Sequence, residues 1–229
     1  MHSAAALIDL DGTLCDSAPE LAAAVDRILV EAGHDRAGVE HVREWVGDGI
    51  DRLVERALAH ATGEAPDALR DARGRFDTTY AEILGTMAPL YPGVVEGPGA
   101  IRSAGIATAC ITNKAGVFAI GLLGALGLAD RVDTVISGDR GAARKPAVAP
   151  LEAGARRLGV AIGDCVMVGD SAIDIAAARA AGCPVWCVRT GYNRGAPLEN
   201  STPDRIFDRF DELAAALVAR AGGHCSDGR

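Results

Sequence analysis

The stretch Ala4-Ala5-Ala6-Leu7-Ile8, followed by Asp9-Leu10-Asp11-Gly12-Thr13, decides the fold and points to the chemistry of this chain. The apolar run predicts a buried strand, and the two aspartates come where that strand runs out into a turn. A buried carboxylate is costly unless another group pairs with it. Two such carboxylates one residue apart therefore indicate a divalent cation and a reaction rather than a contribution to folding.

The composition is that of an ordinary globular protein. The chain has 229 residues, of which 49% are hydrophobic and 24% charged, and its formal net charge is −8. This negative charge argues against nucleic acid or an anionic membrane as a partner. No apolar run approaches the roughly 20 residues that span a bilayer, and the N-terminus lacks the basic start of a signal peptide. We therefore expect a cytoplasmic monomer or homodimer with a small-molecule partner.

The cysteines show no metal-binding pattern. None forms a CxxC pair, and no histidine stands near them at zinc-finger spacing. Since several lie inside apolar runs, we predict buried free thiols rather than disulfides or metal ligands. The six are Cys15, Cys110, Cys165, Cys183, Cys187 and Cys225.

Short apolar runs alternate with stretches of helical length, which is typical of a parallel sheet covered by helices on both faces. Gly97-Pro98-Gly99 weakens the prediction of a helix between Gly93 and Gly105, and the end of the chain from residue 222 onwards predicts a frayed tail. The predicted strands are 5–10, 106–111, 133–137, 165–168 and 184–188, and the helical stretches are 114–127, 147–158 and 171–181.

The stretch between residues 17 and 91 departs from this rhythm. It contains no convincing strand, and apolar residues such as Ile50, Leu53 and Val54 recur at helical spacing. We therefore predict an α/β protein whose sheet is interrupted after its first strand by an all-helical insert. The predicted helices of the insert are 19–32, 39–45, 50–61 and 66–87.

The carboxyl ends of the predicted strands carry a consistent set of polar groups, and in a parallel sheet these ends meet at one edge. Brought together they make a site for Mg²⁺ and a phosphoryl group. The groups are Asp9 and Asp11 after the first strand, 112–114 after the second, 144–145 after the third, and 169–171 with Asp174 after the fourth.

Elementary chemistry explains this combination. Mg²⁺ prefers oxygen ligands, and clustered carboxylates repel one another without a cation. A phosphoryl group in transfer spreads negative charge over its oxygens, so a metal, a lysine and hydrogen-bond donors must surround it. Asp9 and Asp11 lie on one side of an extended strand. Different environments separate the pKa values of two nearby carboxylates, so that one serves as nucleophile while the other handles protons.

Four segments of the chain resemble, in order, the four motifs of the haloacid dehalogenase superfamily. The resemblance covers essentially the whole chain. It implies a Rossmann-like core formed by residues 1–16 and 92–229, with an inserted helical cap domain at 17–91. The segments are Asp9-Leu10-Asp11-Gly12-Thr13-Leu14, Ile111-Thr112-Asn113-Lys114, Lys145-Pro146 and Gly169-Asp170-Ser171-Ala172-Ile173-Asp174.

Two further segments are similar to the phosphoglycolate phosphatase family. They are Trp45-Val46-Gly47-Asp48-Gly49 in the insert and Tyr91-Pro92-Gly93-Val94 at the return to the core. Gly47 and Gly49 are interpreted either as turn glycines or, with Asp48, as a cap loop whose backbone closes over a small substrate. The resemblance also implies hinges near Ser17 and Pro89 to Pro92.

The resemblance implies a role for each core motif residue. Asp9 is the expected nucleophile, Asp11 the expected acid and base. Thr112 and Asn113 are expected to bind the phosphoryl oxygens, and Lys145 to neutralise charge and hold Asp9 in line. Mg²⁺ is expected on Asp9, the backbone carbonyl of Asp11 and Asp170, with Asp174 supporting the metal shell directly or through water.

Other functions remain open on the sequence. Dehalogenation needs no acid two residues after the nucleophile, so Asp11 counts against it. Thr13 resembles the hydrolases more than the β-phosphoglucomutases, which transfer a phosphoryl group within a sugar. A catalytically inactive binding module is disfavoured by the complete motif set. The substrate is expected to be 2-phosphoglycolate, with sugar phosphates, an amino-sugar phosphate and pyrophosphate as alternatives.

Three side chains near the motifs have an ordinary structural interpretation. Lys114 is interpreted as a helix-start residue rather than a phosphate ligand. Arg52 is interpreted as a solvated arginine, with contact to a substrate carboxylate as the alternative. Trp45 is interpreted as an anchor in the core of the insert.

Overall fold

The computed structural model describes residues 5–63, 69–139 and 143–223. In this part of the chain a single sheet has the strand order β3-β2-β1-β4-β5-β6, and every neighbouring pair is parallel. The predicted α/β class is confirmed. The strands are β1 (Ala5–Ile8), β2 (Ala107–Ile111), β3 (Thr134–Ile136), β4 (Cys165–Gly169), β5 (Val185–Val188) and β6 (Arg205–Phe207).

The register of the central strands places the predicted site residues together. Ile8 at the end of β1 lies opposite Cys110 of β2 and Val168 of β4. The residues that follow these three strands therefore leave the sheet at the same edge, as parallel topology requires.

Helices cover both faces of the sheet because successive strand residues point to opposite sides. Ile8 packs on the face covered by α5, α6 and α9, and Leu7 packs on the face covered by α7 and α8. The helices are α5 (Gly97–Ser103), α6 (Gly116–Ala125), α7 (Ala149–Leu158), α8 (Ala172–Ala181) and α9 (Phe210–Gly223).

The helices between β1 and β2 form a unit with its own apolar cluster, which we call the insert. Phe76 and Tyr80 are fully buried in this cluster, and Trp45 packs against it as predicted. The insert leaves and rejoins the sheet side by side, since Asp16 N–H donates to Pro89 and Tyr91 N–H donates to Leu14. Its helices are α1 (Ala18–Glu31), α2 (Val39–Trp45), α3 (Ile50–Thr62) and α4 (Leu69–Ile83).

The helices of the insert follow the predicted pattern, with one difference at the end of the fourth. α2 has the predicted bounds, and α4 ends at Ile83 rather than at residue 87. The predicted start of that helix at Pro66 lies outside the described residues. The predicted domain boundaries at 17 and 91 stay predictions.

The segment that contains Gly97-Pro98-Gly99 is helical although these residues weaken the prediction of a helix there. α5 runs through it. Proline fits the first turn of a helix, where its missing N–H has no partner to lose. A Cβ at position 97 would lie 2.6 Å from the Phe210 ring, so glycine allows α5 to pack closely against α9. The predicted frayed tail is also corrected at its start, since Gly222 and Gly223 are helical and the rest lies outside the described residues.

Two further observations bear on the sequence predictions. Five cysteines are buried free thiols as predicted, while Cys225 lies outside the described residues. None of the helices in the described ranges is long and apolar enough to cross a membrane.

We predict that Phe76→Ala lowers the free energy of unfolding by about 3–5 kcal/mol, because it removes a fully buried ring from the insert. Urea denaturation followed by circular dichroism measures the change. The matched control is Val95→Ala, at a side chain that is 64% exposed, where we expect a change within about 0.5 kcal/mol. An unchanged unfolding midpoint for Phe76→Ala would contradict the described packing.

Candidate active site

Asp9 and Asp11 lie at the carboxyl edge of the sheet, just after the end of β1. The Asp9 N–H donates to Val168 at 2.9 Å, so the backbone of Asp9 still pairs with β4. The side chain of the intervening Leu10 is buried in the core. Both carboxylates are therefore mostly buried yet border the same cavity, as the i and i+2 spacing predicts.

Lys145 connects two of the predicted carboxylates. Its ammonium lies 2.8 Å from Asp9 Oδ1 and 2.7 Å from Asp174 Oδ1, and its side chain is only 2% exposed. Burial lowers the pKa of Lys145, but Asp174 and Asp9 outweigh this effect and raise it above its usual range. Lys145 therefore stays charged and holds Asp9 in a fixed orientation.

Asn113 holds the backbone of Lys145 in place. Its Oδ1 accepts from Lys145 N–H at 2.9 Å, and its Nδ2 donates to the carbonyl of Lys145 at 2.9 Å. The same Nδ2 donates to the carbonyl of Gly47 in the insert at 2.8 Å. The side chain of Asn113 is thus engaged within the protein, and the residue also borders the cavity. Thr112 precedes it, buried and also on the cavity.

Asp170 occupies a crowded position beside Asp9. Thr13 Oγ1 donates to its Oδ1 at 2.7 Å, and Tyr192 N–H donates to its Oδ2 at 3.1 Å. Gly12 has a φ of 86°, and a Cβ there would lie 2.4 Å from the Asp170 carboxylate. Glycine at this turn therefore lets the β1 loop approach Asp170 closely.

Asp174 has both carboxylate oxygens engaged. One oxygen binds Lys145, and the other accepts from Asp170 N–H, Ser171 N–H and the Ser171 hydroxyl. Together Ser171 and Asp174 form a capping box at the start of α8. Asp174 is therefore suited to support a metal through its neighbours.

Asp9, Asp170 and Asp174 form an acidic cluster that fits a divalent cation. One carboxylate oxygen from each lies within 4.8 Å of the others. Burial raises the pKa of Asp9 to about 7 despite the opposing charge of Lys145. Burial and the charges of Asp174 and Asp9 hold the pKa of Asp170 well above its usual range. A bound cation would relieve this repulsion with the oxygen ligands that hard cations prefer.

The insert closes over this edge of the sheet through the loop at 46–49. Gly47 and Gly49 line the cavity. Gly49 has a φ of 90°, and a Cβ there would lie 2.8 Å from Arg144 Nη1 of the core. Asp48, the third predicted residue, does not line the cavity within the described residues. Its carboxylate pairs with Arg56 and Arg194, so its place is in the contact between insert and core.

The cavity between insert and core has a volume of about 250 Å³. Its floor carries the charged groups of the core, whereas its roof offers no polar side chain from the described part of the insert. The roof residues are Leu21, Val46, Gly47, Gly49, Ile50 and Leu53.

Comparison with known proteins agrees with this geometry. Residues 4–182 match the family model described as haloacid dehalogenase-like hydrolase. This chain belongs to the haloacid dehalogenase-like hydrolase family. In the structure of this hydrolase the two acidic motifs, together with Lys145 and Thr112, border one cavity.

Relatives and a solved structure cover almost the whole hydrolase. A phosphoglycolate phosphatase from Nitrosospira multiformis is 42% identical over 219 residues, which cover 95% of this chain and 96% of that protein. One from Nitrosococcus oceani is 40% identical over 217 residues, covering 94% and 96%. The crystal structure of a predicted phosphoglycolate phosphatase from Haemophilus somnus has a TM-score of 0.90 at 31% identity and covers 94% of this chain and 98% of that one.

Several site residues of this hydrolase are missing from the sequence prediction. Lys114 stands just before α6, as a helix-start residue does, but its side chain is also buried against Asp11. Ser17 donates its hydroxyl to Asp11 as well. Tyr192 binds Asp170 and donates its hydroxyl to Asp16 at 2.9 Å. Tyr192 follows β5, so applying the strand-end rule to the fifth strand finds it, whereas no local pattern marks the others.

Arg52 lies at the surface of the insert, as its interpretation from the sequence expects. Its side chain is 61% exposed and pairs with Glu55, as a solvated arginine does. Among the described residues that border the cavity, Arg52 is absent. Its interpretation as a solvated side chain is confirmed.

We predict that the affinity for a divalent cation rises with pH through about 7. Below the raised pKa of Asp9 the carboxyl is protonated, and the cation must displace that proton before it binds. Calorimetric titration with Mg²⁺ at about pH 6 and about pH 8 should show tighter binding at the higher pH, with about tenfold per pH unit for each proton displaced.

Repeating the titration in two buffers of different ionisation enthalpy counts the protons released. Asp9→Asn should reduce that number. A binding constant that is the same at both pH values would contradict the link between Asp9 and the cation.

Proposed function

We propose that this hydrolase is a Mg²⁺-dependent phosphatase that cleaves a small phosphate monoester, 2-phosphoglycolate being the best candidate, through a phosphorylated Asp9. The observation that carries the proposal is the setting of Asp9. One of its oxygens is held by Lys145 at 2.8 Å, and the other has no hydrogen-bond partner within the described residues and is available for attack. Relatives named phosphoglycolate phosphatases at about 40% identity support the choice of substrate.

In the first step Asp9 attacks phosphorus while the bond from phosphorus to the ester oxygen breaks. Asp11 donates a proton to the departing oxygen, so the alcohol leaves neutral. Lys145 and the Thr112 hydroxyl face the negative charge of the phosphoryl oxygens. Mg²⁺, held by Asp9, Asp170 and the Asp11 carbonyl, would supply further neutralisation of that charge.

In the second step water attacks the phosphorus of the phosphorylated Asp9. Asp11, now a carboxylate, takes the proton from that water, and the bond between phosphorus and the Asp9 oxygen breaks. Inorganic phosphate leaves and both side chains return to their starting state. Ser17 and Lys114 hold the Asp11 carboxylate in place for both proton transfers.

The shape and lining of the cavity favour a small ester. A sugar phosphate carries several hydroxyls that lose hydrogen bonds to water when they are buried, and this loss is costly without protein partners. The apolar roof, formed by Leu21, Ile50 and Leu53 among others, offers none from the described part of the insert. This lining supports a short substrate over the sugar-phosphate alternatives.

A phosphate-release screen with Mg²⁺ tests the function directly. We expect the highest kcat/KM for 2-phosphoglycolate among sugar phosphates, an amino-sugar phosphate and pyrophosphate. Isomerisation of glucose 1-phosphate without net phosphate release would indicate the mutase instead. A purified protein that is inert towards the whole panel would contradict the proposal and favour a binding module. Cytoplasmic location and a monomeric or homodimeric state stay predictions.

Asp9→Asn should reduce phosphate release to the level of the buffer blank, because the amide is a poor nucleophile and a poor metal ligand. The measurement is phosphate release from 2-phosphoglycolate, with circular dichroism to confirm folding. The matched control is Asp130→Asn at an exposed residue outside the cavity, which should keep full activity. Near-normal turnover by Asp9→Asn would contradict the nucleophile assignment.

Asp11→Asn should lower kcat by about 10²- to 10⁴-fold, the usual contribution of a general acid and base. The reason is that an amide neither protonates the leaving oxygen nor accepts a proton from water. Steady-state phosphate release gives kcat, with Asp130→Asn again as the control. Undiminished kcat would remove Asp11 from its proton-transfer role.

A further inference from the structure

We propose that Lys114 is a specificity-determining residue that binds a carboxylate attached to the ester-bearing carbon of the substrate. This inference rests on the proposed phosphatase function and deepens it, because it assigns the part of the chain that distinguishes a phosphorylated 2-hydroxy acid from a neutral ester. The resemblance to known families assigns Lys114 no such role.

Lys114 lies at the edge of the reaction centre. It follows β2 and borders the cavity between insert and core. Its side chain is only 2% exposed, and its ammonium lies 3.0 Å from Asp11 Oδ1 and 3.4 Å from Asp11 Oδ2. A solvated lysine at a helix start would not be buried in this way.

Tyr80 of the insert fixes the other side of the ammonium. The Lys114 nitrogen lies 4.8 Å from the centre of the Tyr80 ring, within the range of a cation–π contact. The Tyr80 hydroxyl donates to Glu20 at 2.6 Å, and Glu20 also accepts from Gly85 N–H at 2.8 Å. The ring is therefore anchored, and Lys114 is held in one orientation.

With these contacts, the Lys114 ammonium keeps an N–H donor that a ligand can engage. An ammonium has three N–H donors. Within the described residues, the Asp11 carboxylate and the Tyr80 ring contact the Lys114 ammonium, and the buried Glu20 carboxylate attracts it electrostatically. A desolvated charge is costly unless hydrogen bonds satisfy it. The remaining donor therefore favours an acceptor that enters the cavity.

The position of the Lys114 ammonium relative to Asp11 defines which substrate group can accept a hydrogen bond from it. In the proposed mechanism Asp11 protonates the ester oxygen, so that oxygen lies within hydrogen-bond distance of Asp11. In 2-phosphoglycolate a single carbon separates the ester oxygen from the carboxylate. A cation 3.0 Å from Asp11 is thus close to the place where that carboxylate must lie. A charged hydrogen bond there is stronger than one to a neutral hydroxyl.

The other cationic side chains that line the cavity already have ion-pair partners within the protein. Among the described lining residues they are Lys145 and Arg194. Lys145 is shared by Asp9 and Asp174, while Arg194 is half-exposed and pairs with Asp48. Lys114 is the remaining cation of the described lining, and the insert adds none.

The test compares two esters of the same length, 2-phosphoglycolate and 2-hydroxyethyl phosphate, whose far end is a neutral hydroxyl. The ratio of their kcat/KM values measures selectivity for the carboxylate. We expect Lys114→Met to lower this ratio by about 10- to 100-fold, the value of a hydrogen bond to a charged group. Lys114→Gln keeps a polar donor without the charge and should lower the ratio as well, which provides a second variant if Lys114→Met folds poorly.

Two further variants serve as comparisons. Arg52→Met removes an exposed cation outside the cavity lining and should leave the ratio unchanged. Arg194→Met removes the half-exposed cavity cation that pairs with Asp48. If Arg194→Met lowers the ratio while Lys114→Met does not, the assignment to Lys114 is overturned.

The remaining outcomes separate the two proposals. An equal loss on both esters in Lys114→Met would mean that Lys114 only positions Asp11, which overturns its role in specificity. A wild-type enzyme that cleaves both esters without preference would also overturn that role while the phosphatase function stands. A wild-type protein that releases phosphate from neither ester would overturn the proposed function, and the role of Lys114 with it.

Discussion

The buried ion pairs of Lys145 hold the site together. Its ammonium joins Asp9 to Asp174, and Asp174 in turn caps α8 and binds the backbone at Asp170. Removing one partner from such a buried pair leaves an uncompensated charge, at a cost of about 3–5 kcal/mol. Asn113 then places the backbone of Lys145. Three strand ends are thereby coupled through a single cation, and a phosphoryl group meets a site whose charges already have fixed positions.

The core and the insert contribute different parts of the site. The core carries the carboxylates, the lysines and the threonine, which suit the chemistry of phosphoryl transfer. The insert contributes an apolar roof over the cavity, and its buried Tyr80 ring packs against the Lys114 ammonium. Lys114 lies where the two meet, between the proton-transfer residue Asp11 and Tyr80. If Lys114 binds the substrate carboxylate as proposed above, the same cation contacts both Asp11 and the substrate, which links reaction and selection at one point.

Much of the fold and the chemical centre follows from local sequence. Apolar runs mark five strands, and Asp9, Thr112 and Asp170 directly follow three of them, so parallel pairing alone brings them together. β6 is only three residues long at the sheet edge, which is too short for a periodic signal. The contacts of Tyr80 with Glu20 and Lys114 depend on tertiary packing between positions far apart in the chain. No spacing pattern in the sequence predicts such contacts, so the burial of Lys114 beside Tyr80 cannot be predicted from the sequence.

The proposed function depends on the phosphorylation of Asp9 during turnover. Rapid acid quenching of wild-type enzyme mixed with Mg²⁺ and 2-phosphoglycolate, followed by peptide mass spectrometry, measures this directly. We expect one added phosphoryl group on the peptide that contains Asp9, formed within the first turnover and absent from Asp9→Asn. Phosphate release at the normal rate without any phosphorylated Asp9 peptide would contradict it.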